Sequence, residues 1–171
     1  GFDADDTLWL NEVHFRGTES AFAELMAPWL TERETQKALF QSEMETLPLY
    51  GYGAKGFTLS MISTAIRISN GKVPSTVIAR IIELGQQLIN VSTELLDDVE
   101  DVLETLAQHY RLIVATKGDL LDQERKLRNS GLERFFHHVE IMSDKTSDAY
   151  AKLVRHLDIN AESFVLLGNS L

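Results

Sequence analysis

The spacing of apolar and polar residues changes character twice along this chain, and those changes mark its organisation. Between Asn11 and Trp29, apolar Val13, Phe15, Ala21, Phe22, Leu25 and Met26 recur at roughly helical spacing and predict a long helix. Thr31, followed by Glu32, Arg33 and Glu34, predicts the N-cap and acidic first turn of a second helix, with Pro48 just beyond its end. Residues 50–57, Tyr-Gly-Tyr-Gly-Ala-Lys-Gly-Phe, predict a glycine-rich loop, followed by a third helix over Thr58–Ile68 and a fourth over Pro74–Leu88. Residues 11 to about 90 therefore read as all-helical.

From Leu95 onward, helical stretches alternate with short β-branched runs. The pattern predicts helices over Asp97–Gln108, Leu120–Asn129 and Ser147–His156, and strands over Arg111–Ala115, His138–Met142 and Ser163–Leu167. Such alternation predicts a parallel sheet with crossover helices. Asp97 and Asp98 fall where a helix N-terminus favours negative charge, and read as dipole partners rather than ligands. A further strand ending near Asp3 places the helical block inside an α/β domain. The expected division is residues 1–10 and 91–171 for the core and 11–90 for the insertion, with no internal repeat or low-complexity segment.

Composition narrows the picture only a little. With 171 residues, 44% of them hydrophobic, the chain can bury a substantial core. It has no cysteine, which excludes disulfides, thiolate metal sites and a cysteine nucleophile. A formal charge of -10 and a pI near 4.9, with no block of Lys and Arg, argue against a nucleic acid partner. No apolar run approaches the roughly 20 residues that span a bilayer, and no signal peptide pattern opens the chain. The expectation is a cytoplasmic protein without membrane or nucleic acid partners, monomeric or homodimeric.

The chemistry concentrates in the first nine residues, Gly1-Phe2-Asp3-Ala4-Asp5-Asp6-Thr7-Leu8-Trp9. Residues i and i+2 of a strand share a face, so Asp3 and Asp5 converge where the strand meets a loop. Their mutual repulsion must be relieved by a proton or a cation.

The pattern Asp3-x-Asp5-x-Thr7-Leu8 resembles the nucleophile loop of the haloacid dehalogenase superfamily, most of whose members are magnesium-dependent phosphatases. The helical insertion after the first strand resembles the cap of that superfamily's first structural subclass. The resemblance covers nearly the whole chain and implies a Rossmann-like parallel-sheet core with an inserted all-helical cap. It further implies that Asp3 is the nucleophile and Asp5 the general acid and base. Leu112-Ile113-Val114-Ala115-Thr116-Lys117-Gly118 is similar to the second motif, with Thr116 at its Ser/Thr position; the chemistry needs a hydroxyl and backbone N–H donors, here around Lys117 and Gly118, for phosphoryl oxygens. Lys145, after the next strand, matches the family's lysine, and Lys117 competes for that role.

Phe164-Val165-Leu166-Leu167-Gly168-Asn169-Ser170-Leu171 resembles the start of the fourth motif, with Asn169 where an Asp often binds magnesium. The acidic residue expected a few positions on is not in the chain, which therefore reads as cut within that motif, and the start at Gly1 reads as a truncation as well. By resemblance, Mg²⁺ would be held by the Asp3 carboxylate, the Asp5 backbone carbonyl, Asn169 and waters.

Gly51-Tyr52-Gly53-Ala54-Lys55-Gly56 matches G-x-G-x-x-G literally, but helical residues precede it and no strand follows, so it is rejected as a dinucleotide site. It reads either as a cap loop presenting Lys55 and Tyr52 to a substrate or as an interhelical turn. His137 and His138 are neighbours in a strand and point to opposite faces, which makes both structural. His14 reads as a helix-face residue, and Trp9 and Phe57 as packing residues.

The resemblance implies hydrolysis of a phosphate monoester through an aspartyl-phosphate, the substrate being a small phosphorylated metabolite. Asp5 favours this over 2-haloacid dehalogenation, because dehalogenases have no leaving oxygen to protonate and typically lack this Asp. A phosphomutase uses the same pair of carboxylates. A non-catalytic metal- or phosphate-binding protein, for which Asn169 and the missing acid argue, is the alternative from a different class.

Overall fold

The computed structural model describes residues 1–169; Ser170 and Leu171 of the fourth motif lie outside the described residues. The architecture is mixed α/β, a parallel sheet with a helical insertion. Among the described residues, seven α-helices and two strands run in the order α1 (Glu12–Met26), α2 (Glu32–Tyr50), α3 (Ala54–Ile68), α4 (Ser75–Ile89), α5 (Val99–Ala107), β1 (Leu112–Lys117), α6 (Leu120–Ser130), β2 (Phe136–Met142) and α7 (Ser147–His156). The chain divides into two compact units, one of Gly1–Glu12 with the segment from Ser92 onward, the other Val13–Val91.

In the α/β unit, β1 and β2 pair in parallel, with Val114 opposite Val139 and Thr116 opposite Ile141. β1 is an almost continuous apolar run buried on both faces, as expected of a strand inside a parallel sheet. The opening segment adds to its other edge. Phe2 bridges Val114 on one side and Leu167 on the other, both in parallel. Phe2 N donates to Ile113 O at 2.9 Å and Asp3 N to Leu167 O at 2.8 Å. The segment carrying Asp3 is thus interior to the sheet. One core cluster, Phe2, Leu8, Trp9, Leu103, Leu112, Val114, Leu127 and Leu132, packs beneath it.

The strand predicted over Ser163–Leu167 is reduced to that single bridge. Ala161–Ser163 forms a 3₁₀ turn instead, capped by the Asn160 side chain on Glu162 N at 3.1 Å, and leaves few residues to extend.

The helical unit encloses Phe22, Met26, Leu39, Phe57, Met61, Ile81 and Leu84. Each such apolar side chain contributes about 1.5–3 kcal/mol by leaving water. Between α2 and α3 runs a polar seam. Thr64 Oγ1 donates to Ser42 Oγ at 2.6 Å, Arg67 donates to the same oxygen at 2.8 Å, and Thr46 and Ser60 hydroxyls meet at 2.9 Å.

Two local expectations change here. Pro48 lies inside α2, where it removes one hydrogen bond in a last turn that Gly51 closes by donating to Leu47 O at 2.9 Å. The glycine-rich stretch is largely helical, since α3 starts at Ala54. Gly56 is accommodated because a Cβ there would stand 2.9 Å from Gly51 O, so the turn can fold down onto the helix only without one.

Candidate active site

The site grows from the carboxyl end of the interior segment. After Asp3 the chain leaves the sheet and tightens: Leu8 N and Thr7 N donate to Ala4 O, and Asp6 N to Trp9 O. Asp6 sits in the left-handed region with φ 56°, a conformation Asp tolerates, and its carboxylate accepts from the N–H groups of Asn11 and Glu12, capping α1.

Asp3 is 6% exposed. Its Oδ1 accepts from Ala4 N at 2.8 Å and stands 2.5 Å from Lys145 Nζ. Lys145 reaches it from the turn between β2 and α7, where Thr146 Oγ1 accepts from Ala149 N and caps the helix. A buried carboxylate needs such a partner, since burying an unpaired charge is costly. Burial holds the Tyr150 phenol on α7 above its ordinary range, and the Asp3 charge adds to that, so the phenol stays neutral.

Asp5 is held differently. Its Oδ1 accepts from the Trp9 indole Nε1 at 2.8 Å and from Lys126 Nζ at 3.0 Å. Its Oδ2 accepts from Gln123 Nε2 at 2.8 Å. Gln123 and Lys126 stand three apart on α6 and so face the same way. The Gln123 amide also donates to Lys117 O at 3.1 Å.

Thr116 is buried at the carboxyl end of β1. Lys117 and Gly118 follow, Gly118 with φ 143°, a conformation that favours glycine. At the far edge of the segment, Gly168 abuts Asp3: a Cβ there would lie 3.0 Å from Asp3 Cβ and 3.7 Å from Oδ2. Asn169 N donates to Thr7 Oγ1 at 3.1 Å.

Of the residues the sequence singles out, the structure gathers Asp3, Asp5, Lys145 and Asn169 around one loop and sets Thr116, Lys117 and Gly118 at the adjoining strand end. Tyr52 and Lys55 belong to the Val13–Val91 unit, Lys55 in the first turn of α3. Of the two candidate lysines, Lys145 makes the ion pair with Asp3. His138 Nε2 pairs with Glu140 Oε2 at 3.0 Å. Gln123 and Lys126 carry no motif, and only their shared helix face marks them in the sequence.

The donors on hand are hard oxygens. Among the described residues, Asp3 Oδ2 accepts no hydrogen bond, the Asp5 carbonyl accepts none from the backbone, and Gly168 leaves the Asp3 carboxylate uncrowded on that side. With Asn169, whose backbone N–H reaches Thr7 of the same loop, this set suits a hard divalent cation such as Mg²⁺.

The family model for haloacid dehalogenase-like hydrolases matches residues 1–171. A haloacid dehalogenase-like family hydrolase from Xanthomonas campestris is 38% identical, with a TM-score of 0.95 over 100% of this chain and 72% of that one. The chain belongs to the haloacid dehalogenase-like hydrolase family. Its fold also matches that of a HAD-hydrolase from Bacillus subtilis bound to magnesium, at 17% identity and a TM-score of 0.67 over 99% of this chain and 78% of that one. L-2-haloacid dehalogenase from Xanthobacter autotrophicus matches at 18% identity and a TM-score of 0.60, over 98% and 66% of the two chains. Among curated proteins no relative matches the sequence. Among the described residues no helix is long and apolar enough to cross a membrane.

Proposed function

We propose that this hydrolase cleaves the phosphate monoester of a small phosphorylated metabolite in the cytoplasm, through a phosphorylated Asp3 and with Mg²⁺. The observation that carries the reading is the division of labour between the two carboxylates: Asp3 is paired with Lys145, and Asp5, two residues on, is held apart from it by Trp9, Gln123 and Lys126.

The Asp3 carboxylate attacks phosphorus in line while Lys145 keeps it oriented and offsets the phosphoryl charge. The ester P–O bond breaks, and the leaving oxygen takes a proton from Asp5. Asp5, now ionised, removes a proton from water; the water oxygen attacks phosphorus, the bond to Asp3 breaks, and inorganic phosphate leaves. Thr116 and the backbone N–H groups that follow it bind phosphoryl oxygens. Mg²⁺, bound by the Asp3 carboxylate, the Asp5 carbonyl and Asn169, would supply the positive charge that lets a carboxylate approach a phosphate dianion.

The presence of Asp5 supports phosphate chemistry over displacement of a halide, which leaves no oxygen to protonate. The test is phosphate release from a panel of small phosphomonoesters, with Mg²⁺ and with EDTA, for the protein and for Asp3→Asn. The expected result is magnesium-dependent release that Asp3→Asn abolishes. Retained turnover in that variant sinks the covalent mechanism. Halide release from a 2-haloacid without phosphate release, or isomerised sugar phosphate, would replace the assigned reaction.

A further inference from the structure

Gln123 is buried, with 4% of its surface exposed, and yet among the described residues its Oε1 has no hydrogen-bond partner. An unpartnered buried acceptor is unfavourable, and an apolar side chain of similar shape would avoid it. The amide's two N–H groups are both spent on the site: one on Asp5 Oδ2 at 2.8 Å, the other on Lys117 O at 3.1 Å. Turning the amide over would aim Oε1 at two acceptors, so its orientation is set by chemistry. Room for it comes from Gly118, where a Cβ would stand 2.9 Å from Gln123 Nε2 and 3.3 Å from its Cγ. A side chain at 118 and the amide at 123 compete for one space.

An ionised carboxylate offers about four lone-pair positions. On Asp5, Oδ1 accepts two hydrogen bonds, from Trp9 and Lys126, and Oδ2 accepts one, from Gln123. Among the described residues one position remains, on Oδ2. Its direction is fixed by where the Gln123 amide holds that oxygen.

We infer that Gln123 is a positioning residue of the reaction: by clamping Asp5 Oδ2 against the end of β1, it selects the lone pair of Asp5 that carries the transferred proton. This rests on Asp5 acting as the acid of the proposed phosphatase. It assigns Gly118 a role in making space for the amide, beside any backbone contact with phosphate. Lys126 is the complementary anchor, reaching Asn11 Oδ1 at 2.8 Å as well as Asp5, and holding the oxygen that does not carry the proton.

The test compares Gln123→Met, which keeps length and removes both donors, with Asp5→Asn. Two substrates are used: an alkyl phosphate, whose leaving oxygen needs a proton, and dinitrophenyl phosphate, whose leaving group departs without one. The quantity compared is kcat/KM, which reports the first phosphoryl transfer. For Gln123→Met we expect a loss of roughly 10- to 100-fold on the alkyl ester and of less than about threefold on the dinitrophenyl ester. Thermal stability should change little, because the unpartnered oxygen is lost together with the hydrogen bonds to Asp5 Oδ2 and Lys117 O; a merely structural role would lower both rates together, and that result would overturn the inference.

Asp5→Asn separates the two claims. If it shows the selective loss and Gln123→Met does not, the inference about Gln123 fails and the phosphatase stands. If Asp5→Asn shows none, the acid assignment itself fails. The Trp9 indole N–H cross-peak, identified with Trp29→Phe, gives a readout without turnover. Release of Asp5 by Gln123→Met should shift that peak, and an unmoved peak would overturn the clamp whether or not any ester is hydrolysed.

Discussion

Replacing Lys145 with Met removes the cation 2.5 Å from Asp3 Oδ1 and leaves a carboxylate that is 6% exposed without its partner. At an effective dielectric constant near 20, two unit charges at that separation attract by roughly 6–7 kcal/mol. Desolvation of the two ions takes back several kcal/mol, and breaking a buried pair from one side typically costs about 3–5 kcal/mol. Lys145 keeps 17% of its side-chain surface in water, so the lower end of that range applies, about 3 kcal/mol. Asp3→Asn removes the charge that needs a partner and is expected to be far milder. On a Lys145→Met background it should restore most of the lost stability. The coupling in the double-mutant cycle is therefore expected at about 2 kcal/mol. Trp9 is buried in the α/β unit and Trp29 belongs to the helical one, so Trp29→Phe leaves a fluorophore that reports the relevant unfolding in urea. EDTA in every sample keeps a bound cation from standing in for the lysine. A coupling below about 0.5 kcal/mol would refute the claim that this pair holds the carboxylate.

Two further outcomes test the helical unit, read through Trp29 fluorescence in a Trp9→Phe background. Gly85→Ala would place its Cβ 2.1 Å from Thr58 Oγ1 and 2.7 Å from Cγ2, pushing α4 off α3; a loss of about 1–3 kcal/mol is expected, and a neutral result would refute that contact. Glu34 is held below its ordinary value of 4.5, first by the Thr31 hydroxyl and then by the Thr31 backbone N–H. Because the folded value is the depressed one, this capping box supports α2 fully above pH 4.5, and the support is lost as pH falls through the lower folded value. The wild type should therefore lose stability relative to Glu34→Gln on acidification, and parallel pH curves would refute it.

The elements with strong periodicity were open to reading from the sequence. Ser147–His156 is helical end to end, and the apolar run over Leu112–Val114 is a buried strand because both faces of a parallel sheet are covered. The weak elements were not. Pro48 and Gly56 are helix breakers by intrinsic preference, but one sits in a final turn and the other lies under a carbonyl, which is tertiary information. At the site, the carboxylate pair is legible because Asp3 and Asp5 are only two positions apart in the chain. That Lys145 pairs with Asp3 needed the distance between them. Gln123 and Lys126 stayed hidden because Asp5, the group they serve, is 118 and 121 positions away.

The interior position of the opening segment also sets an order of folding. Asp3 N pairs with Leu167 O, and Gly1 N with Val165 O, 164 positions on. During synthesis at about 5–20 residues per second, the first residues of the sheet would wait roughly 10–30 s for their last neighbour. Over that interval Phe2, 7% exposed in the finished fold, has no complete sheet around it. The helical unit, whose core residues run from Phe22 to Leu88, can close from nearby contacts long before then. The insertion can thus be finished while its host is still open, and Asp3 acquires its full setting only once Leu167, 164 positions further along the chain, has been made.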